Sequence, residues 1–168
     1  MRRVLIASMM GLLAMAATAC GKVQPPTSPS GTGTGSGIST SSAASMAVDL
    51  SFCVAETNRY RASVGLPALA QSPALEEYAA TAAEHDHGER TAHQWFTLTK
   101  GGGVSRSEIE TLWWKDQGVR DVIKGGLAQM WRQGPGGSHY DIITGNFTET
   151  GCGVSVIGSE VTVAQEFR

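Results

Sequence analysis

Four histidines, His85, His87, His93 and His139, are the side chains of this 168-residue chain best suited to chemistry near neutral pH. Neutral imidazoles bind zinc or copper where three or four ligands converge. Their spacing narrows the options. His85 and His87 are two residues apart, which on a helix turns their rings about 200° from each other. His87 and His93, with Glu89 between them, do not make the H-E-x-x-H pattern whose histidines share a helix face at i and i+4. Nucleophilic catalysis fits poorly. There is no Gly-x-Ser-x-Gly elbow, and Ser138 beside His139 is a neighbour in sequence, which does not set an imidazole on a hydroxyl. Glycoside hydrolysis by paired carboxylates lacks a second acid unless Asp141 or Glu149 serves. Gly101–Gly103 and the run Gly134 to Gly137 lack the lysine and the strand–helix context of a phosphate loop, and read as flexible loops.

The elements that would position these residues begin well inside the chain. Residues 1–19 read as a signal peptide: Arg2 and Arg3, an apolar stretch from Val4 to Ala17, then small residues up to Cys20. A cysteine directly after such a stretch resembles the bacterial lipobox, which makes Cys20 the lipidated first residue of the mature chain. From there to Ser45 the sequence is Ser, Thr, Gly and Pro, too poor in apolar surface to fold, and is read as a disordered tether about 25–30 Å in mean reach. Residues 46–168 are then one domain. Removing residues 1–19 takes two of the 13 basic side chains and none of the 15 acids, so the mature chain is acidic. That excludes nucleic acid as the expected partner and leaves the acyl chains as the contact with membrane. Of three cysteines, Cys53 and Cys152 remain as a pair, which in an oxidising compartment is more often a disulfide than two buried thiols.

Within the domain, Leu50–Val64 reads as a helix ended by Gly65 and Pro67. Ser72-Pro73 opens a second helix, with Ser72 as its cap and Gly88 as its end. Apolar residues at helical spacing predict a third helix over Val119–Trp131, across the unfavourable Gly125-Gly126. Alternation around Gly158-Ser159 predicts a hairpin. Helices first and a hairpin last, without βαβ alternation, imply an α+β fold with antiparallel strands. The four tryptophans are read as core or cavity wall.

The order of motifs resembles the CAP superfamily (cysteine-rich secretory proteins, antigen 5, pathogenesis-related 1). The resemblance is carried by Asn58-Arg59-Tyr60-Arg61, Leu69-Ala70-Gln71-Ser72, Ser138-His139-Tyr140, Gly151-Cys152-Gly153-Val154 and Thr162 to Phe167. It implies an α–β–α sandwich, three main helices around a small antiparallel sheet, and a cavity of two histidines and two acids. His139 matches the G-H-Y motif, with Ser138 in place of Gly. Glu108 is the first choice for the G-E-N acid and Glu110 the alternative. His93 is the other cavity histidine, with His87 and His85 in reserve, and Tyr140 lines the groove. The second acid of W-x-x-E has no counterpart in Trp131-Arg132-Gln133-Gly134. The expected function is an exported, lipid-anchored protein that binds a small molecule, lipid or cell-envelope component without catalysis. The expected cofactor is none, beyond zinc held weakly by His93 and His139. The alternatives are a metal-assisted hydrolase and a structural envelope protein with a vestigial cavity.

Overall fold

A computed structural model describes residues 40–168. The segments read as signal peptide and lipidated Cys20, and most of the expected tether, lie outside the described residues. Helix α1 spans Thr40–Ser63, so it starts ten residues before the expected Leu50 and takes in the last six residues assigned to the tether. The reason is local: no Gly or Pro interrupts 40–63, and Ala44, Met46 and Ala47 favour continuation of a helix already formed. The helix ends at Gly65, whose φ of +76° only glycine adopts without strain.

The Asn58 to Arg61 motif then fixes the loops that follow. The Asn58 amide donates to the Leu69 carbonyl at 2.9 Å and accepts the Leu69 N–H at 2.8 Å. Arg61, fully buried, donates to the carbonyls of Pro67, Ile143 and Gly145 at 2.8–3.0 Å. Strand β1 (Ala70–Gln71) leads into α2 (Pro73–Glu89). Ser72 sits at the N-cap position but its hydroxyl makes no cap bond there, and α2 runs through Gly88 to end at Arg90 in the left-handed region. Short α3 (Gln94–Thr99), β2 (Ser107–Lys115), α4 (Val119–Trp131), α5 (Ser138–Ile143), β3 (Glu149–Ile157) and β4 (Glu160–Phe167) complete the chain. The third helix and the hairpin therefore stand where expected.

The sheet order is β1-β3-β4-β2, with β3, β4 and β2 antiparallel and the two-residue β1 added in parallel. The expected antiparallel sheet is thus present, with the two-residue β1 as a parallel addition at its edge. Because side chains alternate, each face of the sheet has its own chemistry. On one face Ile109, Val163 and Cys152 join α1 and α4 in the main apolar core. On the other, the row Gly151–Glu166–Glu108 and the row Gly153–Ala164–Glu110 lie towards α2.

The two glycines explain the G-C-G motif. A Cβ at Gly153 would lie 2.1 Å from the Ala79 carbonyl carbon, and one at Gly151 2.5 Å from the Glu76 nitrogen, so β3 meets the α2 backbone directly. Gly125 and Gly126 do the same for α4, where a Cβ would strike the Trp114 ring at 2.5 Å and Thr111 Oγ1 at 2.0 Å. Gly153→Ala is expected to force α2 off the sheet and to destabilise the domain by about 1–3 kcal/mol, measured by chemical denaturation. A change below about 0.5 kcal/mol would show that the helix does not need this close approach. Cys53 of α1 and Cys152 of β3 form a disulfide across 99 positions, as expected.

Candidate functional site

The connection between α2 and α3 is what presents His93. Asp86, fully buried near the end of α2, accepts the Trp95 N–H at 2.9 Å and pairs with His85 Nδ1 at 2.9 Å through the same oxygen. That link folds the chain back on itself, with Arg90 and His93 both at positive φ, 55° and 56°. A histidine in this region is strained, and strain that persists is held by its surroundings. Here the holders are acids on β2. The His93 backbone N–H donates to Glu110 Oε2 at 2.7 Å, while ring Nδ1 lies 2.8 Å from Glu108 Oε1 and 3.5 Å from Glu110 Oε2.

Both candidate acids therefore meet His93. They stand two residues apart on one face of β2, so the open choice between Glu108 and Glu110 resolves to the pair. His93 is the histidine that joins them. Buried His87 instead bonds Ser155 Oγ at 3.1 Å and approaches Glu160 at 3.6 Å, and His85 stacks on Trp95 at 5.1 Å.

His139 arrives from the other side of β2 on α5. It lines one cavity of about 260 Å3 with His93, Phe96, Glu108 and Ser138, and a second of about 210 Å3 with Glu110, Thr111, Trp114, Gly126 and Gln133. The first cavity is lined by both histidines and Glu108. The Tyr140 ring lies against Trp131 at 4.5 Å, and Trp131 in turn lies against Tyr60 at 4.9 Å. Tyr140 thus anchors α5. Gly102 lies in a separate surface groove beside Tyr78 and Trp95.

Residues 54–167 match the family described as the cysteine-rich secretory protein family, CAP. The chain belongs to the CAP family. Two solved structures with which it aligns are a cysteine-rich secretory protein from Staphylococcus aureus subsp. aureus Mu50 and an extracellular protein containing a SCP domain from Bacillus anthracis str. Ames. The first is 13% identical with a TM-score of 0.47, over 73% of this chain and 39% of that one. The second is 18% identical with a TM-score of 0.46, over 73% and 41%. This chain therefore spans about two fifths of the length of each. No curated protein matches it. The family and the Cys53–Cys152 bond are consistent with export. No helix among the described residues is long and apolar enough to cross a membrane.

In this CAP domain Gly134 occupies the position where the resemblance implied a second acid, and the residue before it, Gln133, meets His139. Gln133 Nε2 donates to His139 Nδ1 at 2.8 Å, and Gln133 Oε1 accepts the His139 N–H at 3.2 Å. The amide fixes the neutral tautomer that carries its hydrogen on Nε2. Burial, and then the charge of His93, hold the His139 pKa below its ordinary value. His93 is shifted the other way, upward, chiefly by its hydrogen bond to Glu108 and against the effect of burial. Burial and the neighbouring Glu108 carboxylate push Glu110 up to about 8.

The acid that sequence reasoning missed is Glu166. It is the register partner of Glu108 on β4, and its side chain is 0% exposed. Neither of its oxygens finds a hydrogen-bond donor among the described residues. Burial first and Glu108 second push its carboxyl up to about 10, so that near neutrality it is protonated and placed to donate to Glu108. The signal was present in Val161 to Phe167, where one acid interrupts an otherwise buried strand.

Proposed function

We propose that this CAP domain is an exported binding module, held at the cell envelope through lipidated Cys20, that takes a small molecule, lipid or envelope component without catalysis. The observation that supports this is a 260 Å3 cavity in which His93, Glu108 and His139 stand together. Its polar groups are set to bind: His93 stands beside the Glu108 carboxylate, and His139, whose Nδ1 accepts from Gln133, offers an Nε2–H. A nucleophile paired with a base is missing among the described lining residues. Ser107 and Ser138 share the cavity with the histidines, but no hydrogen bond joins either hydroxyl to a ring.

The test is native mass spectrometry of the protein from its expressing host. Wild type is expected to carry a co-purifying mass that the double variant Glu108→Gln/His139→Ala loses while keeping a cooperative melt. A double variant that no longer melts cooperatively would make these residues structural and end the proposal.

A second reading, a metal-assisted hydrolase, draws on one ligand atom each from His93, Glu108 and Glu110 lying within 4.8 Å of one another. That donor set fits a divalent ion, which would supply a polarising charge and an activated water. Elemental analysis of protein purified without chelator separates the readings, because the hydrolase needs about one ion per chain.

A further inference from the structure

We infer that the second cavity, along the free edge of β2 and beside α4 and α5, binds a neutral sugar ring through Trp114, Thr111, Gln129 and Glu110. The inference goes beyond the reading of the histidine cavity and shares only His139 with it.

The first observation is a bulge in β2. Thr111 pairs with Val163 and Trp114 with Val161, so Leu112 and Trp113 together stand opposite the single residue Thr162. A regular strand turns residues three apart to opposite faces. The extra residue instead brings Trp114 to the α4 face, where Thr111 already stands: a Cβ on Gly125 would meet the Trp114 ring, and one on Gly126 the Thr111 hydroxyl. Trp113 takes up the strain, with φ at 56°, a region a bulky residue enters only when its surroundings hold it there. Its N–H donates to Thr162 Oγ1 at 3.2 Å, and Arg90 lies over its ring at 5.4 Å. Bulges re-aim side chains, and the one re-aimed here is an indole in the cavity wall.

The second observation is the set of polar groups around that indole. Strand β2 ends the sheet, so both of its faces reach the cavity, Thr111 and Trp114 from one and Glu110 from the other. The Glu110 side chain is 0% exposed, and its Oε1 has no partner among the described residues. Gln129, exposed near the end of α4, and Gln133, just beyond it, add two amides. His139 adds its Nε2–H, because its Nδ1 is engaged by Gln133.

These groups select the class of ligand. Hydroxyl, amide, carboxyl and imidazole together present both donors and acceptors. None of the described lining residues is Lys or Arg, so a phosphate or carboxylate would meet no cation. A neutral ring of hydroxyls, each able to donate and accept, finds partners on both counts. The indole supplies the flat apolar surface on which the C–H face of a pyranose rests. The cavity, about 210 Å3, is smaller than the roughly 300–1,000 Å3 of sites for drug-sized molecules, and suits a single ring.

The experiment is titration of the mature chain with N-acetylglucosamine and with maltose, and with choline chloride and sodium phosphate for comparison, read by tryptophan fluorescence and by amide NMR shifts. The expected result is saturable binding of at least one sugar, with shifts gathered at the β2 bulge and the end of α4. Trp114→Ala should weaken it about tenfold and Gln129→Ala about fivefold. Trp114 also packs against α4, so exposed Gln129→Ala decides the matter if Trp114→Ala fails to melt cooperatively. Three results overturn the proposal: no saturable binding of either sugar, unchanged affinity in both variants, or choline or phosphate binding at these residues more tightly than the sugars. Neither Trp114 nor Gln129 lines the histidine cavity. If no sugar binds while the co-purifying mass is still lost from Glu108→Gln/His139→Ala, this inference falls and the binding-module reading stands.

Discussion

Replacing Glu166 with Gln is expected to make the metal-free domain more stable at pH 8, by about 2–4 kcal/mol, with a melting temperature higher by roughly 10 °C. Most substitutions of a fully buried residue destabilise, so the sign is the test. It follows from proton linkage. The Glu166 carboxyl is raised from 4.5 to about 10 in the folded chain. Between those values the native state holds a proton that the unfolded state releases, so stability falls as pH rises, by up to about 1.4 kcal/mol per unit. Glu110, raised to about 8, acts with the same sign. So does His93, whose raised pKa gives stability that is complete at low pH and lost as pH rises through its folded value. Glu108, Asp86 and Tyr78 are the other titratable side chains facing these groups. Wild type with a chelator should therefore melt at progressively lower temperature from about pH 5 to pH 8, and Glu166→Gln should flatten that slope. The glutamine amide still has Glu108 as an acceptor, so the substitution removes the linked proton while keeping a partner. A variant that is less stable at pH 8 and as steep in pH would show that Glu166 is not held protonated.

The disulfide gives the second large effect. Cys53→Ala/Cys152→Ala is expected to lower stability by about 2–4 kcal/mol, read as a drop in the denaturant midpoint with a steeper slope, because the unfolded chain without the cross-link exposes more surface. A bond that closes 99 positions restricts the unfolded chain strongly, and the chain-entropy account gives about 4.7 kcal/mol for a loop of that size, more than is usually realised. Both residues are essentially inaccessible, so each alanine also leaves a small gap in the core. Reduction of wild type under denaturing conditions should reproduce the loss. Two reactive thiols in unfolded, unreduced protein would contradict the bond.

What could be read from sequence depended on whether a residue's type agreed with its surroundings. Val119–Trp131 and the hairpin around Gly158 were legible because apolar periodicity there matches burial. Strand β2 was not recognised, because Ser107-Glu108-Ile109-Glu110 looks half solvated, whereas all but Ser107 are buried. The acids that hide the strand are the ones that make the site. His93, Glu108 and His139 could be placed through the CAP resemblance, since those motifs carry their order along the chain. Glu166 could not, because its role depends on register with β2, which local sequence does not encode. Tyr140 stands next to His139 on short α5, so its side chain takes a different direction and meets Trp131.

The central claim is that His93, Glu108 and His139 are kept for a ligand in the groove and not for the fold. The measurement that tests it most directly is native mass spectrometry beside a thermal melt, on wild type and on Glu108→Gln/His139→Ala. The account predicts a co-purifying mass on wild type that the double variant loses while it still melts cooperatively. A double variant that keeps the mass, or that loses its cooperative melt, would contradict it.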